Sequence, residues 1–175
     1  MLNEVLERIK EIMEIAQATL LADGALILTL AEAPPRGAQE FEKFVGAIGM
    51  RPTTFNQTRK PNGEPNEKIV ALSYPIDVFG QPFKIDYDVR MYTGILTVAD
   101  AIVDEFNERL LLQDSSGVPL RFLDATTPII ITGGTVIKEQ YPGTPGNVAA
   151  ADDIRYHFSA NVNVSYLWTC PSKSA

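Results

Sequence analysis

Residues 154–168 read IRYHFSANVNVSYLW. Ile154, Tyr156, Phe158, Ala160, Val162, Val164, Tyr166 and Trp168 alternate with Arg155, His157, Ser159, Asn161, Asn163, Ser165 and Leu167. A period of two places the apolar set on one side of an extended chain, the mark of a β-strand. At ~3.3 Å per residue the strand would reach roughly 50 Å, against about five or six residues for an ordinary one. A compact monomer has little use for so long a ribbon. Part of it is therefore expected to pair with or pack on another subunit.

Working outward, Tyr141 to Asp153 (YPGTPGNVAAADD) reads as a long exposed loop. Before it, 118–123 and 128–136 are predicted strands, with Gly133-Gly134 marking a bulge or bend. Ala99, Ile102, Val103, Phe106 and Leu110 recur at helical spacing, and Thr97 with Asp100 resembles a capping box, so a helix is expected over about 98–112. The stretches 68–78 and 83–92 flank Phe79-Gly80-Gln81-Pro82 and read as a hairpin. In its second arm Phe83, Ile85, Tyr87, Val89 and Met91 alternate with Lys84, Asp86, Asp88 and Arg90.

Residues 51–67 (RPTTFNQTRKPNGEPNE) have no apolar period and read as a second long exposed loop or hairpin tip. Phe41, Phe44, Val45 and Ile48 suggest a short helix over about 38–48. Ala25 to Leu30 is an apolar run open to either strand or helical turn. Leu2, Val5, Leu6, Ile9, Ile12, Met13, Ala16 and Leu20 form the stripe of an amphipathic helix over 2–20 that Asp23-Gly24 would end.

At 175 residues, 45% hydrophobic and 21% charged, the chain has the composition of one soluble globular domain. The fold expected is α+β (α/β): a mainly antiparallel central sheet with the helices 2–20 and 98–112 packed on one face. No run is long and apolar enough for a membrane span, and MLNEVLERIK lacks the basic-then-apolar order of a signal peptide, so the expected location is cytoplasmic. The net charge of −7 disfavours tight nucleic-acid binding. Only 51–70 is basic, with four bases against two acids.

Candidate chemistry is sparse. One cysteine and one histidine leave no thiolate or imidazole cluster for zinc or iron, and no cofactor is expected. Asp86 and Asp88, on one face of the expected strand about 7 Å apart, could share a hard cation such as Mg²⁺; a solvated strand face beside Lys84 and Arg90 is the plainer reading. His157 reads as a surface or interface histidine, and Cys170 as incidental. Thr132-Gly133-Gly134-Thr135 fits a strand bend better than a phosphate cradle. Arg51, Arg59 and Lys60 with Phe55 form a basic cluster suited either to a phosphate backbone or to an acidic neighbouring subunit.

The opening helix LNEVLERIKEIMEIA, the segment YPIDVFGQPFKIDYDV, the helix ADAIVDEFNERLLL and the ending YHFSANVNVSYLW, in that order, resemble the tail-terminator and related neck proteins of long-tailed bacteriophages. The resemblance covers most of the chain and rests on element order and texture. It implies a virion protein, assembled in the host cytoplasm, whose copies form a ring of six on the head-proximal end of the tail tube. Its implied partners are itself, the tube and the neck or connector proteins, with DNA passing through unbound. Residues 31–67 depart from the simplest pattern of that family. The expected interface residues are Tyr166, Trp168, Arg51, Arg59 and Lys60. The alternatives are another neck, head-completion or sheath-associated protein, and, in a different class, a small enzyme or ligand-binding domain using Asp86 and Asp88.

Overall fold

The computed structural model describes residues 2–22, 27–31, 43–49, 52–64, 67–109, 113, 116–117, 129–141 and 154–169. The elements run α1 (Leu2–Ala22), β1 (Ile27–Ala31), β2 (Lys43–Ile48), β3 (Thr54–Arg59), β4 (Glu67–Gly80), a 3-10 turn (Ile85–Tyr87), α2 (Asp88–Glu108), β5 (Ile129–Gln140) and β6 (Ile154–Thr169). They make one six-stranded sheet of order β1-β2-β4-β6-β5, with β3 also paired to β4. Every pairing is antiparallel except β1 with β2. The fold is α+β.

The decisive strand forms as its alternation predicts. Tyr156, Phe158, Ala160, Val162, Val164 and Tyr166 of β6 are buried, as are Val70, Leu72, Tyr74, Ile76 and Val78 of β4. Over this face lie the stripes of both helices, Val5, Ile9, Ile12, Met13, Ala16 and Leu20 from α1 and Met91, Ile95, Val98, Ala99, Ile102 and Phe106 from α2, in one continuous core. The length of β6 is accounted for within the chain. It pairs with β4 from His157 to Thr169 and with β5 from Ile154 to Val164. The expected bulge is present: the β5–β6 register shifts between Thr132 and Thr135, and Gly133 takes a positive φ of 72°, which only glycine enters at no steric cost.

Four expectations are corrected. Residues 83–92 are not a strand. Phe83 makes one bridge to Ile154, and the chain then enters the 3-10 turn and α2. Met91 belongs to both apolar patterns, and the helical one continues through Ile95, Val98, Ile102 and Phe106. The long stripe wins because it covers the sheet, and Ile85 and Val89 are left on the surface. Consequently α2 begins near 88 rather than 98. Thr97 and Asp100 lie inside it, and the Thr97 hydroxyl donates to the Thr93 carbonyl (3.0 Å) instead of capping.

Lys43–Ile48 is a strand rather than part of a helix. Residues 51–67 are not a loop throughout, since Thr54–Arg59 pairs along β4. Residues 38–42, 110–112, 118–123 and 142–153 and Cys170, with the expectations that fall on them, lie outside the described residues.

Strands β2 and β3 occupy the same side of β4 in succession. The pairing moves from Ile48↔Ile76 to Thr54↔Ser73, so the two stretches are out of step and the ladder breaks between them. Pro75 sits at the break. Its carbonyl accepts from the Gly49 N–H (2.9 Å), so its nitrogen, which has no hydrogen to donate, faces the same gap. Beyond the break β3 and the first half of β4 form a hairpin, the arm, in which β3 is the exposed edge strand while β4 stays in the sheet, paired on its other side with β6 from Asn163 to Thr169.

Candidate functional site

The arm is the part of the fold that carries the basic residues. All six residues of β3 are exposed. Phe55, Gln57 and Arg59 lie opposite Leu72, Val70 and Lys68, on the side of the sheet that elsewhere meets the helices. Because these are exposed along with Thr54, Asn56 and Thr58, the helix layer does not extend over β3.

The turn beyond it is closed locally. The Gly63 N–H donates to the Lys60 carbonyl (3.1 Å), and Asn62 adopts a left-handed φ of 57°, which asparagine tolerates better than most residues. The Lys60 ammonium meets the Glu67 carboxylate at 3.1 Å, and the Glu64 N–H donates to the same carboxylate at 3.1 Å. The Lys60 hydrogen bond, then that of Glu64, holds Glu67 below the usual carboxylate range.

The five expected interface residues therefore separate. Lys60 is engaged in its own turn, while Arg59 is exposed and has no ion-pair partner among the described residues. Arg51 lies outside the described residues. Tyr166 is core, 2% exposed, and burial pushes its hydroxyl pKa up. Its place in the overhanging surface is corrected: its side chain faces the helices. Trp168 is half-buried against the same core, with the Lys68 ammonium 5.8 Å above its ring. Arg59 and Lys68 are directly opposite one another, two like charges at a cross-strand position, where a pair of opposite sign would be favourable. A cleft of about 330 Å³ runs past them, lined by Gln57, Thr58, Arg59, Glu67 and Lys68.

A second group of polar residues gathers at the other end of β6. The Tyr156 hydroxyl donates to Asp88 Oδ1 (2.9 Å), and Lys138 Nζ reaches the same oxygen (2.6 Å). Hydrogen bonding from Lys138 and then from Tyr156 lowers the Asp88 pKa, while burial, reinforced by Asp88, pushes Tyr156 up to about 12. Asp88 thus starts α2, where a carboxylate also suits the helix dipole, and Asp86 sits exposed in the 3-10 turn. The shared strand face proposed for the two aspartates does not exist.

On the sheet face away from the helices, His157 Nε2 contacts Asp77 Oδ1 at 2.7 Å, and the ring stacks on Phe79 with centroids 4.3 Å apart. The Arg155 guanidinium covers the same Phe79 ring at 4.7 Å and pairs with Glu139. The His157 hydrogen bond lowers the Asp77 pKa; burial opposes it, and a hydrogen bond from Ser159 adds to it. The carboxylate receives the imidazole across the two strands, so Asp77 and His157 form a clamp between β4 and β6. Sequence reading missed this clamp because the register that brings residues 77 and 157 together is a tertiary fact.

Among the described residues no group of three or more His, Cys, Asp or Glu side chains is placed to hold a metal ion, and no helix is long and apolar enough to cross a membrane. No protein-family model matches the sequence, and no curated protein is significantly similar to it.

Proposed function

We propose that the chain is a structural subunit of a tailed-bacteriophage virion, a tail terminator whose copies form a ring that caps the tail tube at its head-proximal end and joins it to the neck. The observation that carries this reading is the β3–β4 arm, exposed on both sides of β3 and basic on an otherwise acidic chain. A heterologous ring needs two unlike surfaces on each subunit, one of which can overhang its neighbour. The order of elements, α1, the arm, α2 and two closing antiparallel strands, supports the resemblance to tail-terminator and neck proteins.

Helix α2 adds a second support. Asp100, Asp104 and Glu108 are exposed at four-residue steps. Like charges so spaced cost a helix about 0.2–0.5 kcal/mol per pair, and near the C-terminus they also oppose the helix dipole. An acidic stripe of this kind suits the wall of a conduit that DNA must slide past without binding.

The test is electron microscopy of phage particles made with and without this chain. Loss is expected to leave tails of uncontrolled length without heads, and labelled protein should mark the head-proximal tail end. Label on the head vertex alone would favour a head-completion adaptor, and label along the tail a sheath-associated protein; either would replace the terminator reading.

A further inference from the structure

The exposed side of α1 changes character along its length. Glu11, Glu14, Ile15, Ala18, Thr19 and Ala22 line a shallow groove, acidic in the first half of this stretch and mainly apolar in the second; Leu21, 62% exposed, is outside the lining, next to Ala22 in the chain. The arm has the opposite charge in a matching order, with Arg59 and Lys68 toward its tip and Phe55, 45% exposed, four residues back. The spacings agree. Phe55 to Arg59 spans about 13 Å along a strand, and Glu14 to Leu21 spans about 10 Å along a helix.

We propose that the arm of one copy docks on the outer groove of α1 of the next copy, with Arg59 and Lys68 against Glu11 and Glu14 and Phe55 against Ala18 and Leu21. The contact rests on the reading of the chain as a ring subunit and names the surfaces that close the ring. It places an acidic partner beside the opposed pair Arg59 and Lys68, and it covers an aromatic and a leucine that would otherwise face water. The contact is heterologous, since each copy offers one arm and one groove and remains free to add another neighbour at either end.

The purified full chain and the variants Arg59→Glu, Glu14→Lys and their combination test this by sedimentation over a range of concentration at low salt, with melting curves to verify folding. Glu11 is left unchanged because it pairs with Arg8, whose own side chain is nearly buried. Wild-type chain is expected to associate with rising concentration, and added salt to weaken the association. Each single variant should weaken it about tenfold or more, and the combined variant should recover it to within about threefold. Neither single variant fits itself, but the unchanged arm of Glu14→Lys fits the unchanged groove of Arg59→Glu and the two altered surfaces fit each other, so an equimolar mixture of the two should associate about as well as the combined variant.

Wild type that stays monomeric up to millimolar concentration, single variants that associate like wild type, or a combined variant with no recovery would each overturn the contact. Recovery by the combined variant together with absence of the chain from phage tails would leave the contact standing and sink the terminator reading.

Discussion

Replacing Gly94 by alanine should destabilise the protein, although alanine is the better helix former. A methyl added at Gly94 would lie 2.8 Å from Cζ of Phe44, closer than packed carbons approach. Phe44 is fully buried, and a methyl at Gly80 would meet another edge of its ring at 3.6 Å, so the ring has little room to retreat. Glycine to alanine inside a helix contributes about 1 kcal/mol, whereas overfilling a packed core costs about 1–3 kcal/mol. The clash outweighs the gain in helix propensity, and a net loss of about 1 kcal/mol is expected, a fall of about 2–4 °C in Tm for a domain of this size. In a Phe44→Leu background, where the contacting ring edge is gone, the same change should instead stabilise by about 1 kcal/mol. Urea unfolding of the four chains of this cycle gives the coupling directly. If Gly94→Ala stabilises the native background, or has the same effect in both, α2 does not approach β2 closely enough for the ring and the helix to collide.

Tyr166 has a buried hydroxyl with no hydrogen-bond partner among the described residues. Tyr166→Phe should therefore be neutral or stabilising by up to about 1 kcal/mol, while Tyr166→Ala should lose about 3–5 kcal/mol, both read from denaturation midpoints. A large loss from the phenylalanine change would show that the hydroxyl is satisfied. The clamp around Asp77 makes an acid-side prediction. Its folded pKa is depressed, so its contribution is present above the unfolded value of 3.8 and is lost as pH falls through the lower folded value. Asp77→Asn should lower stability at neutral pH and flatten the fall in Tm below about pH 4; an unchanged acid limb would mean that the clamp does not stabilise the fold.

Much of the fold was legible in the sequence where one period extends beyond a few residues. The alternation from Ile154 to Trp168 can only be a strand with one buried face, and Leu2 to Leu20 can only be a helix with one buried stripe, so the sheet and its one-sided helix cover followed. Gly133 was legible as a bulge because a glycine within an apolar strand has few other uses. Short segments were not legible. Phe44 and Ile48 are four residues apart, a spacing that returns to the same side in a strand and nearly so in a helix, so the pattern of β2 suits either. Thr54–Arg59 carries no alternation because both of its sides are exposed, and pairing with β4 alone makes it a strand.

The segment 83–92 shows most plainly what lay beyond the sequence. Its alternation is real, but Ile85, Val89 and Tyr92 are exposed in the folded chain, and only the competition for one sheet face decided for the helix. The site followed the same division. Basic character in 51–68 and the aromatic Phe55 were visible as composition, whereas the separation of Lys60 from Arg59, the burial of Tyr166 and the facing of Arg59 by Lys68 depended on register. Composition and period are properties of neighbours along the chain, so the sequence by itself determined which segments bury a face. Register and orientation depend on distant residues meeting in space, so the tertiary structure alone decided which charges were left to meet a partner.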